Sequence, residues 1–96
     1  MRVISEKALR KFWKKHTDAD VALRSWLKIT EGAAWKNLIE VRKDFPHADP
    51  VDQYTVFNIK GNEYRLVTAI HYNRKRVYIR EVFTHPEYDR WSAALK

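Results

Sequence analysis

His85 and Tyr88 stand three residues apart in Thr84-His85-Pro86-Glu87-Tyr88-Asp89. On a helical turn beginning at Pro86, that spacing brings an imidazole and a phenol to the same side. Such a pair can move protons at a phosphodiester. Cleavage of RNA through its own 2′-hydroxyl needs a base for that proton, a cation for the developing negative charge, and an acid for the departing 5′-oxygen. Positioned acids and bases contribute roughly 10²–10⁴-fold each, and fixed cations stabilise the charged transition state. Lys60, Arg65 and Arg80 supply cations, and this chemistry calls for no metal and no cofactor. Each residue also has a plainer use: His85 as a capping or surface histidine, Tyr88 as a packing residue of the C-terminal segment. His16, His47 and His71 have no partner at metal-ligand spacing and read as structural. The acidic residues are scattered, several beside Lys or Arg, which argues against a zinc or magnesium site.

The elements that must position these groups are legible in the patterning. Arg2-Val3-Ile4 is a short apolar start suited to an edge strand, and Ser5 stands where a helix N-cap belongs. Ala8, Leu9, Phe12 and Trp13 then recur at helical spacing, with Lys7, Arg10, Lys11, Lys14 and Lys15 on the other face. Thr17-Asp18-Ala19-Asp20 resembles a capping box opening a second helix with the apolar stripe Ala22, Leu23, Trp26 and Leu27, stopped at Gly32. Asn37-Leu38-Ile39-Glu40 caps a short helical segment that Phe45-Pro46 closes, and 47–53 reads as loop. From Tyr54 the period becomes two. Strands over 54–60 and 63–72 flank Gly61-Asn62, a hairpin signal, and a third strand over 76–84 follows Asn73-Arg74.

A two-residue loop at Gly61-Asn62 sets Ile59 opposite Tyr64, Asn58 opposite Arg65 and Phe57 opposite Leu66. Alternation sends Phe57, Ile59, Tyr64, Leu66, Thr68 and Ile70 to one face, and Asn58, Lys60, Arg65 and Val67 to the other. A two-residue loop at Asn73-Arg74 adds Val77, Ile79 and Phe83 to the apolar face. It adds Arg76, Tyr78, Arg80 and Val82 to the basic one, whereas a three-residue loop would drive Arg80 into the core. Glu81 falls on the core face in this register and calls for a sheet edge or a partner. A basic face with interleaved aromatic and aliphatic groups suits a sugar-phosphate chain. It is also how the solvated face of an ordinary antiparallel sheet looks.

Composition sets the outer bounds. Ninety-six residues suit one domain over 1–96, and 45% hydrophobic residues suffice for a core. With no Cys there is no disulfide framework, thiolate metal site or Cys nucleophile. No apolar run approaches a membrane span and no signal peptide is evident, so a cytoplasmic chain without membrane contact is expected. Nineteen Lys and Arg against twelve Asp and Glu give +7, a charge that suits a polyanionic partner.

The run from Asn58 to Leu66, Val77-Tyr78-Ile79-Arg80, and Thr84 to Asp89 together resemble the HigB family of type II toxins. The likeness extends to Arg2-Val3-Ile4-Ser5 with Ala8-Leu9, to Trp35-Lys36, and to Asp44-Phe45 with Ala48-Asp49, and so runs through nearly the whole chain. It implies an α+β, RelE/ParE-like fold: two to three N-terminal helices packed on one face of a twisted antiparallel sheet, with a short C-terminal helical segment. It also implies a metal-independent endoribonuclease, an mRNA interferase acting on the translating ribosome and leaving a 2′,3′-cyclic phosphate. The implied partner is a HigA-like helix-turn-helix antitoxin, and operator DNA is met only through that complex. The family's motifs fall on Lys60, Asn62, Arg65, Arg80, His85 and Tyr88. The resemblance makes His85 general acid or base, with Tyr88 positioning substrate or sharing the proton transfer. Arg65 and Arg80 would stabilise the phosphate, with Lys60 on an adjacent phosphate or acting as base. Asn58, Asn62, Arg76 and Tyr78, with Lys7, Lys11 and Lys14 on the first helix, are the expected RNA contacts. The alternatives are a ParE-like toxin that binds a protein such as gyrase, or a non-catalytic RNA- or DNA-binding module.

Overall fold

The computed structural model describes residues 1–95. The strand β1 (Arg2–Ile4) leads into α1 (Glu6–Lys15), which begins where the Ser5 hydroxyl accepts the Lys7 N–H. α1 buries Leu9 and Trp13 and leaves Lys7, Lys11 and Lys14 exposed. A 3₁₀ turn over Thr17–Ala19 precedes α2 (Asp20–Gly32), and neither start carries a side-chain cap. The expected capping box is absent there, and the Asp20 carboxylate that would have closed it accepts from Arg24 instead. α3 (Leu38–Asp44) is capped as its sequence predicts: Asn37 accepts the Glu40 N–H, and the Glu40 carboxylate accepts the Lys36 N–H.

Five strands follow the spatial order β1-β5-β4-β3-β2. β2 (Asp49–Val51) lies in the stretch expected to be loop and pairs antiparallel with β3 (Tyr54–Ile59). Pro50 is tolerated because β2 is an edge strand and the missing N–H has a side that needs no partner. β4 (Tyr64–His71) pairs with β3 in the expected register, Asn58 opposite Arg65 and Phe57 opposite Leu66. β5 (Arg76–Thr84) pairs antiparallel with β4 and parallel with β1, so the sheet is mixed rather than purely antiparallel. The connection before β5 is a 3₁₀ turn over Tyr72–Arg74 with Lys75 left-handed, yet His71 still opposes Arg76 as a two-residue loop would require.

One irregularity changes the faces. Thr68 opposes Ile79 but Val67 opposes Glu81, so β5 carries an extra residue at Arg80. Val82 consequently turns inward and packs on the core, while Phe83 turns outward, the reverse of strict alternation. β1 reaches only as far as Tyr78, which leaves Glu81 exposed on an open edge, as its charge demands.

The core lies between α1–α3 and one sheet face. Leu9, Trp13, Leu23, Trp26, Trp35 and Val41 pack against Phe57, Ile59, Tyr64, Leu66 and Val77. Among the described residues no helix is long and apolar enough to cross a membrane.

α4 (His85–Ala94) packs on the opposite face, where the Trp91 ring lies 5.4 Å from Tyr54 and 5.6 Å from the outward-turned Phe83. Its start is a full capping box: the Thr84 hydroxyl accepts the Glu87 N–H and the Glu87 carboxylate accepts the Thr84 N–H. No α4 residue is fully buried, so the cap carries an unusual share of the helix's hold. Thr84→Ala should therefore cost about 1 kcal/mol. Hydrogen exchange should show faster protons through the first turn of α4, with the core strands unchanged.

Candidate active site

β4 presents Arg65 opposite Asn58 on the face that α4 crosses. The guanidinium is held on several sides. Nη1 donates to the Tyr64 carbonyl at 3.2 Å, Nη2 donates to Asn62 Oδ1 at 3.3 Å, and the guanidinium carbon lies 5.7 Å from the centre of the Tyr88 ring. All of these partners are uncharged. No ion pair among the described residues involves Arg65, so its charge remains available to an anion. The surrounding cleft, about 370 Å³, is lined by Arg42, His47, Asp49, Asn58, Arg65 and Tyr88 among others.

Tyr88 is half-buried, and burial pushes its phenol above the ordinary value. Asp49 acts in the same direction and Arg65 against it. The phenol therefore stays protonated through the neutral range and presents a donor. His85 is the first residue of α4 and is exposed. Its backbone N–H donates to the Glu63 carbonyl at 3.1 Å, and its Nε2 lies 3.4 Å from Asp89 Oδ2. A neighbouring cleft, about 450 Å³, is lined by Asn62, Glu63, Tyr64, Thr84, His85 and Pro86. Asn62 lines the His85 cleft and Arg65 the Tyr88 cleft, and the hydrogen bond between them links the two linings.

Other expected site residues lie apart. Lys60 has φ 52°, which breaks the strand alternation, and its ammonium pairs with Asp18 at 2.9 Å instead of joining Arg65. Arg76, Tyr78 and Arg80 form a second cluster: Arg76 Nη1 donates to the Tyr78 hydroxyl at 3.4 Å and Arg80 lies 5.3 Å over the Tyr78 ring. The hydrogen bond from Arg76 pulls the Tyr78 phenol below its ordinary value, with further help from the charges of Arg76, Arg74 and Arg80. Arg80 lines a cleft with Gln53, Tyr54, Ala69 and His71, none of which lines the Arg65 cleft. The single basic face expected from alternation is thus two clusters, with the Trp91 contacts of α4 between them. Lys11 and Arg80 share a groove between α1 and β5, while Lys7 and Lys14 are exposed on α1.

His47, which the sequence presents as structural, and Arg42, which no motif singles out, both line the Arg65 cleft. His47 enters it because β2 folds 46–48 back toward Asn58, and Arg42 pins that segment by donating from Nε to the Ala48 carbonyl at 3.0 Å. Only the strand character of Asp49-Pro50-Val51 could have signalled this, and Pro50 masks it. Among the described residues no group of three or more His, Asp or Glu side chains gathers as a metal ligand set.

Residues 19–91 match the family described as HigB_toxin, the RelE-like toxic component of a toxin-antitoxin system. The chain belongs to the HigB toxin family. This HigB toxin is 32% identical to "mRNA interferase toxin HigB" of Escherichia coli (strain K12) over 97% of its own length and 92% of the relative's. The same identity and coverage hold for "mRNA interferase HigB" of Shigella flexneri. A namesake in Escherichia coli O6:H1 is 25% identical over 94% of this chain and 90% of its own. The segment matched to the HigB family contains every residue of the Arg65 cleft and of the His85 cleft.

Proposed function

We propose that this HigB toxin is an mRNA interferase whose chemistry is assembled around Arg65. The observation that carries the proposal is a guanidinium with no carboxylate partner among the described residues, aimed by Asn62 and the Tyr64 carbonyl, beside a phenol that burial keeps protonated. A phosphodiester bound to Arg65 would be cut by its own ribose. The 2′-oxygen bonds to phosphorus as its proton passes to the His85 imidazole, and Asp89 beside Nε2 stabilises the imidazolium. The bond from phosphorus to the 5′-oxygen breaks as that oxygen takes a proton from Tyr88. The products are a 2′,3′-cyclic phosphate and a 5′-hydroxyl. Arg65 stabilises the extra negative charge on phosphorus, a role that a fixed cation fills without reorganisation.

Asn58 and Asn62 line the path of the chain next to the scissile phosphate. Arg76, Tyr78 and Arg80 hold flanking RNA, and Lys7, Lys11 and Lys14 add general attraction, on ribosomal RNA if the message is cut during translation. Lys60, already paired with Asp18, takes no proton. Residues 1–96 act as one toxin domain in the cytoplasm, neutralised by a HigA-like helix-turn-helix antitoxin through which the pair meets its operator.

Expression without antitoxin should arrest growth with shortened mRNA and intact chromosomal DNA, and co-expressed antitoxin should reverse the arrest. Intact mRNA with broken DNA would overturn the proposal in favour of a toxin that binds gyrase.

A further inference from the structure

The turn that aims Arg65 has little of its own to hold it in place. Gly61, Asn62 and Glu63 are all exposed, and within the turn the only backbone bond is from the Glu63 N–H to the Lys60 carbonyl at 3.2 Å. Lys60 and Gly61 both have positive φ, 52° and 63°, a region a lysine rarely occupies unless its surroundings impose it. One carboxylate from a distant part of the chain holds both flanks of this turn. Asp18 Oδ2 accepts from Lys60 Nζ at 2.9 Å, and Asp18 Oδ1 accepts from the Tyr64 hydroxyl at 2.5 Å. Asp18 thereby grips the residue before the exposed turn and the residue after it.

That grip is anchored. Tyr64 is buried, its ring 5.3 Å from Phe12 and 5.5 Å from His16, both on the helical side of the sheet. The Tyr64 hydroxyl, and after it the Lys60 ammonium, hold the Asp18 carboxyl below its ordinary value, and the hydrogen bond to Asp18 raises the Tyr64 phenol to about 12. On its other side the turn touches the active site at several points. Asn62 Oδ1 and the Tyr64 carbonyl accept from Arg65, and the Glu63 carbonyl accepts from the His85 N–H.

We propose that Asp18 is a positioning residue for cleavage: by holding Lys60 and Tyr64 at once, it fixes the turn from which Asn62 orients Arg65. The inference rests on Arg65 being the phosphate-binding cation. Asp18 lies just outside the family-matched segment of 19–91 and touches no residue of the Arg65 cleft directly, so its action is through the turn. An exposed pair such as Asp18–Lys60 contributes little to stability. A small displacement of a positioned group, in contrast, costs rate steeply. The two effects are therefore separable.

The test is a double-mutant cycle on mRNA cleavage, with Asp18→Ala, Asn62→Ala and both together, each checked by thermal unfolding. Asp18→Ala should lower kcat about tenfold with KM changed less than about twofold. In the Asn62→Ala background the same substitution should lower kcat by clearly less than about tenfold, because the side-chain route to Arg65 is cut and only the Tyr64 and Glu63 carbonyls still link the turn to the site. Tyr64→Phe keeps the buried ring and removes one of the two grips, and it should lower kcat in the same direction if Asp18→Ala fails to fold. Wild-type kcat in Asp18→Ala and Tyr64→Phe, or a tenfold fall that persists undiminished beside Asn62→Ala, overturns the proposal. Arg65→Ala run in parallel separates the two claims. If Arg65→Ala cuts normally, the site itself is misplaced; if it is slow while Asp18→Ala is not, only the positioning role falls.

Discussion

Replacing Arg65 by Ala should slow RNA cleavage by about 10²–10³-fold, the loss typical of removing one fixed donor from a developing oxyanion. The fold should survive the change. Arg65 is half-buried on the α4 face, pairs with no carboxylate among the described residues, and its hydrogen bonds go to an exposed asparagine and one main-chain carbonyl. Arg65→Lys keeps the charge but lacks the forked donors that let one guanidinium hold Asn62, the Tyr64 carbonyl and a phosphate at once. It should recover only part of the rate. Single-turnover cleavage of a defined mRNA measures both variants, and a rate for Arg65→Ala within about threefold of the parent would remove Arg65 from the chemistry.

Tyr88→Phe should lower cleavage about 10²-fold, at the low end for a positioned acid. The substitution is clean because the ring has structural work that the hydroxyl does not share. It lies 5.7 Å from the Arg65 guanidinium and 5.9 Å from Trp91, and phenylalanine preserves both contacts. The pH profile supplies a second check, with its sign set by the phenol's environment. Burial raises the Tyr88 phenol, so the active neutral form persists past the ordinary tyrosine value of about 10. The parent protein should lose its Tyr88-dependent advantage only above that pH, and Tyr88→Phe should show no such alkaline limb. An unchanged rate at neutral pH would make Tyr88 a packing residue and leave the 5′-oxygen to another donor.

The hairpin about Gly61-Asn62 shows which parts of this site a sequence can disclose. Its register follows from alternation, because a one-residue slip would bury Arg65 and expose Leu66, and Asn58 duly opposes Arg65. The caps expected at Ser5 and Asn37 are equally local, each a polar side chain reaching two or three residues along the chain. Contacts that depend on a distant segment left no such trace. The Lys60 side chain leaves the basic face because its backbone turns left-handed and Asp18 receives it, and alternation knows nothing of either. The bulge at Arg80 likewise exchanges Val82 and Phe83 between faces, which gives Trp91 a ring to pack against and divides the basic surface. His47 joins the cleft only because a proline-containing stretch pairs as an edge strand. Residue types and alternation placed the candidate groups on β3, β4 and β5; the bulge, the left-handed lysine and the edge pairing decided which of them meet.

The chemical identity of the ends left on cut RNA tests the central claim most directly. Purified toxin acting on translated mRNA should leave 2′,3′-cyclic phosphate and 5′-hydroxyl ends, and the Arg65→Ala protein at equal concentration should leave almost none. Ends bearing a 3′-hydroxyl and a 5′-phosphate, or the same cuts made as fast by Arg65→Ala, would contradict it.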